Sequence, residues 1–156
     1  MPYLRILSNI FFVLLIGAML GGCTATVPVM PEQYDQLAEK FQPAPGMGNI
    51  YVVRDDGFAG SAIAFRIELD GRSIGSIAPG TYHLFELEPG DHVVAISTQE
   101  NADYEKIDVI EGENYFIEVE PKWGMIAARV SIELIDTERG QKLVIDGSRA
   151  ESLDFK

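Results

Sequence analysis

The sequence predicts an all-β protein whose folded part is a single small β-sandwich of about eight short antiparallel strands. Two observations support this fold class. From residue 49 onward, apolar and polar side chains alternate with the period of two that is typical of half-buried strands. Turn signals rich in glycine and proline divide these runs at intervals of roughly ten residues. A sandwich, or a partly closed barrel, buries the apolar faces of such strands.

A secretory signal peptide is predicted at residues 1–22, ahead of the β region. Arg5 supplies the positive charge, residues 10–19 form a short apolar stretch, and Gly21 and Gly22 are the small residues expected before a cleavage site. A transmembrane helix needs roughly 20 apolar residues, about twice this length. We therefore expect the segment to be removed.

The ending Leu20-Gly21-Gly22-Cys23 resembles the lipobox of bacterial lipoproteins. The resemblance implies covalent lipid on Cys23, with acyl chains such as palmitate attached through its sulfur and its new amino group. Two or more acyl chains hold a protein stably on a membrane, whereas one gives only marginal binding. Thr24 stands where an aspartate would signal retention in the inner membrane. The expected location is the cell envelope, at the outer membrane facing the periplasm.

Residues 23–48 are predicted to form the acylated cysteine and a proline-containing tether with one short helix. The prolines favour extended, semi-rigid chain. Between Pro31 and Pro43, apolar residues recur at helical spacing, which predicts a short helix that docks on the domain. The residues on that face are Tyr34, Leu37, Ala38 and Phe41.

The β-sandwich domain is assigned to residues 49–136. Asp70-Gly71 predicts a tight hairpin turn between two of its strands, and Pro-Gly pairs mark two further turns. The predicted strands lie at residues 50–53, 63–69, 72–77, 81–87, 92–98, 107–109, 115–119 and 130–134. Residues 137–156 are expected to add one helical turn, a small apolar patch and a polar tail that frays.

The charge balance excludes nucleic acid as an expected partner. Removal of residues 1–22 takes away Arg5 and no acidic residue, so the mature chain carries 24 acidic and 11 basic residues and a net charge of −13. Such a surface repels phosphate backbones and anionic lipid headgroups. Cys23 is the only cysteine, so the domain is expected to fold without a disulfide and to depend on its apolar core.

The order and spacing of strand and turn residues across residues 48–136 resemble the DUF2846 family of small bacterial lipoproteins, with a wider likeness to PEGA-type β domains. The residues that carry this resemblance are Tyr51-Val52-Val53-Arg54, Phe58-Ala59-Gly60-Ser61, Asp70-Gly71, Gly75, Gly80-Thr81-Tyr82, Pro89-Gly90 and His92. The resemblance implies a small β-sandwich at the cell envelope. It supplies no catalytic residues.

No pattern in the sequence predicts catalysis, a metal site or a cofactor other than the lipid on Cys23. His83 and His92 are not at metal-ligand spacing. Ser61 follows a glycine without a nearby base, and no Gly-x-Ser-x-Gly motif occurs. His92 is expected to line a turn, and Arg54 is expected to pair with the adjacent Asp55-Asp56.

The loop that contains Trp123 and Met125 is the best candidate for binding a partner or ligand. Tryptophan and methionine are enriched at the centres of interfaces, and Phe58 and Tyr82 would join them if the loops meet at one end of the sandwich. The alternative, which we favour from sequence alone, is that the Trp123 ring caps the edge of the core.

The expected function is therefore a membrane-anchored, non-catalytic binding or scaffolding protein of unknown partner, with an envelope protein or a glycan as the candidates. A second possibility is binding of a small molecule or a cell-wall glycan in a cleft between loops. A weak hydrolase is the third and least favoured alternative.

Overall fold

The computed structural model describes residues 24–57 and 60–153, and it confirms the all-β prediction. Two sheets of five and four strands face each other as a sandwich. Within the described residues the strands are β1 (Gly48–Arg54), β2 (Phe65–Leu69), β3 (Arg72–Ile77), β4 (Thr81–Leu87), β5 (Gly90–Ser97), β6 (Ala102–Val109), β7 (Asn114–Lys122), β8 (Arg129–Ile135) and β9 (Ser148–Arg149), and the helices are α1 (Glu32–Ala38) and α2 (Thr137–Asp146).

The strand order is β8-β7-β1-β4-β9 in the larger sheet and β3-β2-β5-β6 in the smaller one. The expectation of wholly antiparallel strands is wrong at two places, because β1 pairs in parallel with β7 and β4 pairs in parallel with β9. The chain builds the smaller sheet before β7 returns beside β1. Such a long crossover allows parallel pairing, which a short hairpin does not.

The main core fills the space between the two sheets with branched aliphatic side chains and two phenylalanines. Both sheets contribute to it, with Ile50 and Val52 from β1 facing Ile67 and Ile96 from the smaller sheet. Along the edge where β6 approaches β8, the side chains of Asn101 and Asp103 hydrogen-bond to the backbone of β8. These bonds join the two sheets at that edge.

The outer face of the larger sheet is also buried, because both helices pack on it. Tyr51 stacks on Phe116 with the ring centroids 5.1 Å apart, and its hydroxyl donates to the carbonyl oxygen of Ala38 in α1. Val144 of α2 lies in the same cluster. All seven residues of β1 are therefore buried. No helix within residues 24–57 and 60–153 has the length and apolarity needed to cross a membrane.

The Asp70-Gly71 turn has the predicted hairpin geometry. Its two central residues have positive φ values of 50° and 75°, as a type I′ turn requires. The Asp70 carboxylate accepts a hydrogen bond from the backbone of Val93 and contacts His92 Nδ1 at 2.8 Å. His92 thus lines the turn as expected.

Helix α2 is longer than the single turn that the sequence predicted. Asp136 caps its first turn by accepting a hydrogen bond from the backbone of Arg139 at 2.9 Å. Gly140 weakens the helical signal, yet it lies buried where a Cβ atom would overlap the ring of Phe116. The glycine permits close packing of the helix on the sheet, which local propensity does not reveal.

The segments before β1 and after α2 differ from the expected tether and frayed tail, because they bind each other and the sandwich. Ser148–Arg149 forms β9, and the Arg149 carbonyl accepts from the backbone of Met30 at 2.8 Å. Val29 forms an antiparallel bridge with Ala150. Among the apolar residues of the predicted helix face, Ala38 is buried whereas Leu37 is largely exposed.

Candidate functional site

The loop between β7 and β8 presents three large apolar side chains to solvent. Trp123 and Met125 are each 98% exposed and Ile126 is 96% exposed. The expectation that Trp123 caps the core is therefore wrong. The reason is that the loop follows the last β7–β8 pair, Lys122 with Arg129, and no part of the described core covers its side chains. We call residues 123–126 the apolar loop.

The backbone of the apolar loop is fixed by one carboxylate from the turn between β5 and β6 of the smaller sheet. Glu100 accepts hydrogen bonds from the backbone N–H groups of Met125 at 3.1 Å, Ile126, and Ala127 at 2.6 Å. The bonds from Ala127 and Ile126 lower the pKa of Glu100 below its usual value. A Cβ atom on Gly124 would overlap both the Glu100 carboxylate and the Ala127 carbonyl. The loop therefore holds its shape while its side chains stay in water.

A cleft of about 430 Å³ separates the apolar loop from the chain that precedes β2. Ile63, which is partly exposed, and Gly60 lie on that side. The residues that line the cleft are almost all apolar, and Lys122 is the one charged residue among them. The cleft thus offers apolar contact and few polar groups for orienting a ligand.

Arg54 holds the far wall of this cleft in place. Its guanidinium donates to the carbonyl oxygens of Ile63 at 2.6 Å, Gly60 at 2.8 Å and Ile77 at 3.3 Å, and it lies 4.5 Å from the centre of the Phe65 ring. Desolvation by burial lowers the pKa of Arg54 to about 10. The expected ion pair with the adjacent aspartates is absent among the described residues, because the side chain points inward, away from them.

The described chain begins beside the same wall. The backbone N–H of Ala25 donates to the carbonyl oxygen of Ser61 at 2.7 Å. Ala25 is two residues from Cys23, which lies outside the described residues, as does Phe58. The end of the sandwich that bears the apolar loop is therefore also the end where the N-terminal segment arrives.

Tyr82 does not belong to this site, although the sequence grouped it with Trp123. Its side chain is fully buried on the outer face of the larger sheet, and its hydroxyl donates to Asp35 at 2.7 Å. Burial and the nearby Asp35 carboxylate raise its pKa. Of the four predicted contact residues, the structure brings Trp123 and Met125 together and separates Tyr82 from them.

Both histidines make structural hydrogen bonds. His83 is fully buried, and its Nε2–H donates to the Ser76 carbonyl while Nδ1 accepts from the Ser152 hydroxyl, each at 3.0 Å. Burial lowers the pKa of His83. Partial burial opposes charging of His92, but Asp70 and the Glu88 carbonyl raise its pKa on balance.

Within the described residues, one group of carboxylates is close enough to hold a cation: Glu118, Glu120 and Glu133. Glu118 is buried and forms a two-point ion pair with Arg139, with both N···O distances at 2.6 Å. Glu120 contacts Lys122. Cationic side chains thus already neutralise two members of this group.

Ile126 belongs to the loop that the sequence predicts as the site, whereas Glu100 and Ile63 are parts of the site that the sequence did not predict. Glu100 is about 25 residues from the loop that it fixes, and an isolated carboxylate in an acidic chain gives no local signal. The alternation of apolar and polar residues predicts a strand that begins at Ile63, whereas β2 begins at Phe65. The turn before β2 leaves Ile63 free to line the cleft.

Comparison with known proteins supports the resemblance to the DUF2846 family. A family model described as "Protein of unknown function (DUF2846)" matches residues 44–131, which include β1–β7 and the apolar loop. A protein of Haemophilus influenzae (strain ATCC 51907 / DSM 11121 / KW20 / Rd), described as "Uncharacterized protein", is 28% identical over 130 residues. That match covers 83% of this chain and 76% of the relative. The chain therefore belongs to the DUF2846 family.

Proposed function

We propose that the protein is a lipoprotein of the bacterial envelope whose sandwich, akin to PEGA-type domains, acts by binding rather than by catalysis. The ending Leu20-Gly21-Gly22-Cys23 supports lipid attachment, and Thr24 supports the outer membrane as the destination, facing the periplasm. The lipid on Cys23 is the anchor, with no other cofactor needed.

The observation that carries a binding function is the apolar loop. Single exposed apolar side chains are common on soluble domains, but large contiguous apolar patches are rare and mark interaction sites. Trp123 and Met125 are residue types enriched at the centres of interfaces. Since Glu100 fixes the loop backbone, a partner would meet a preformed surface and would not have to order it.

The chemistry of the described polar residues favours binding over catalysis. Histidine is the most frequent general base, and it acts only with a ring nitrogen within reach of substrate. Both nitrogens of buried His83 are engaged by Ser76 and Ser152, and His92 is held in a turn by Asp70. Arg54 bonds to carbonyl oxygens inside the domain. These groups stabilise the fold.

A second candidate is the binding of a small ligand in the cleft beside the apolar loop. Its volume of about 430 Å³ lies in the range of known ligand sites, about 300–1,000 Å³. The apolar lining suits an apolar ligand better than a cell-wall glycan, whose hydroxyl groups need polar partners. Titration with glycan fragments while Trp123 fluorescence is followed would separate these ligands from a macromolecular partner.

Replacement of the cysteine tests the anchor. We expect the Cys23→Ser chain to appear in the soluble periplasmic fraction or to stay unprocessed with residues 1–22 attached. Thr24→Asp is the matched control, because it keeps the cysteine and should move the processed protein from the outer to the inner membrane. A Cys23→Ser chain that is processed and membrane-bound like the parent would contradict the proposal.

A further inference from the structure

We propose that the apolar loop inserts into the lipid bilayer that holds the anchor, so that Trp123, Met125 and Ile126 enter the headgroup region beside the acyl chains. The inference rests on the proposed function, since it needs lipid on Cys23. It names the partner of the apolar loop: the membrane surface itself.

Chain geometry places the anchor and the apolar loop at one end of the molecule. Ala25 is hydrogen-bonded to Ser61, and two residues of extended chain reach at most about 7 Å. Ser61 lies between Gly60 and Ile63, which line the cleft opposite Trp123. An acylated Cys23 would therefore hold this end, and no other, against the bilayer.

The residues of the loop have the chemistry of a membrane interface. Tryptophan is enriched where headgroups meet hydrocarbon, because its ring is apolar and its N–H is polar. Met125 and Ile126 add apolar surface at the tip. Lys122 and Arg129 flank the loop, and residues 121–129 contain no carboxylate although the whole chain has 24 acidic and 12 basic residues. Lys122 contacts Glu120, which offsets its charge, so Arg129 is the flanking cation that attracts anionic headgroups.

The backbone N–H groups at the tip of the loop already have a hydrogen-bond acceptor, as an environment poor in water requires. Unpaired N–H groups are costly in lipid. The N–H groups of Met125, Ile126 and Ala127 are all bonded to Glu100, so the tip presents its side chains without exposing these donors. The acidic remainder of the domain would stay above the surface, where it repels anionic headgroups.

Fluorescence tests the insertion, because Trp123 is the only tryptophan in the chain. The full-length protein is expressed in a Gram-negative host, and the membrane-extracted chain is placed in vesicles of phosphatidylethanolamine and phosphatidylglycerol. Its acyl mass is measured first. Phospholipids brominated on their acyl chains then report contact with hydrocarbon. We expect Trp123 emission to shift to shorter wavelength and to be quenched by the brominated lipids.

The matched control is the double variant Trp123→Phe/Ile110→Trp. Ile110 is exposed in the turn between β6 and β7, at the end of the sandwich opposite the apolar loop. In the same vesicles its tryptophan should keep a long-wavelength emission and resist quenching.

Three outcomes would overturn the insertion. Unquenched Trp123 in an acylated, vesicle-bound chain would leave the anchor intact and exclude insertion of the apolar loop. Equal quenching of Trp123 and of the Ile110→Trp control would show that this end is not oriented to the membrane. A blue shift that grows with protein concentration, without quenching by bromine, would assign the loop to a second copy. A membrane-extracted chain without acyl mass would instead refute the proposed function.

Discussion

Trp123, Met125 and Ile126 project into water, and a carboxylate fixes the backbone that carries them. Such exposure contributes nothing to the core. The contrast is Phe116, which is buried between Tyr51 and helix α2 and stacks on the tyrosine ring. The Phe116 ring therefore contributes to the core, whereas the Trp123 ring does not.

Trp123→Ala should change the free energy of unfolding by no more than about 0.5 kcal/mol, as is usual for exposed positions. Phe116→Ala should lower it by about 3–5 kcal/mol, the range for large buried aromatic side chains. Urea unfolding followed by circular dichroism measures both. A loss for Trp123→Ala as large as for Phe116→Ala would mean that the indole ring packs on the core.

His92 gives the domain a pH dependence of defined sign. Asp70 and Glu88 raise its folded pKa, so its contribution to stability is full below the unfolded value of 6.5 and is lost as the pH rises through the folded value. Asp70, whose folded pKa is lowered on balance, contributes to stability above its unfolded pKa of 3.8, and this contribution is lost as the pH falls. The pair therefore stabilises the folded domain most between pH 3.8 and pH 6.5.

The difference in unfolding free energy between the parent and His92→Gln isolates this effect, because buried His83 is common to both. We expect a difference of up to about 1 kcal/mol near pH 5.5 that shrinks near pH 8.5, a small value because the pair is partly exposed. A difference that grows with pH would have the wrong sign for a histidine charged in the folded state.

At the level of elements, residues with local signals were predictable and residues with distant partners were not. Asp70-Gly71 predicted its hairpin, and the alternation of apolar and polar residues predicted the positions of eight strands. Ser148–Arg149 is too short to show a periodic pattern of apolar residues, and it forms a strand only because it pairs with β4. Arg54 stands next to two aspartates in sequence, yet burial against Phe65 decides its partners. Exposure of Trp123 depends on the lengths of β7 and β8, which sequence periodicity does not define.

Replacement of Gly140 tests how closely α2 packs on the larger sheet. Alanine would favour the isolated helix by about 1 kcal/mol. Its Cβ would overlap the Phe116 ring, and overpacking costs typically about 1–3 kcal/mol. We expect Gly140→Ala to destabilise the protein overall, with exposed Glu138→Ala on the same helix near neutral. A gain in thermal midpoint for Gly140→Ala would show that α2 does not press on the sheet.

Replacement of Glu100 tests whether its carboxylate holds the backbone of the apolar loop. In the parent, the amides of Met125, Ile126 and Ala127 should exchange with deuterium slowly for a solvent-exposed loop, because each is bonded to the Glu100 carboxylate. Glu100→Ala should accelerate all three while amides in β1 keep their protection. Equal exchange in the parent and the variant would mean that the loop backbone is not held by this residue.

At the scale of the whole molecule, the N-terminal and C-terminal segments bind each other along the β9 edge of the larger sheet. Met30 donates to Arg149, Glu151 donates to Pro28, and Ser152 bonds to buried His83. The chain is therefore attached to the domain from Ala25 onward. A lipid on Cys23 would leave about two residues of free chain between the anchor and the domain. So short a connection would fix the orientation of the sandwich relative to the membrane.

Intact-mass and N-terminal peptide mass spectrometry of the membrane-extracted protein tests the lipid anchor most directly. The expected mature chain begins at Cys23 and carries a diacylglyceryl group on its sulfur and an acyl chain on its amino group. The cleavage site and the lipid mass would then be read from one peptide. A mature chain that begins at another residue, or an unmodified Cys23, would contradict the lipid anchor and with it the membrane orientation of the apolar loop.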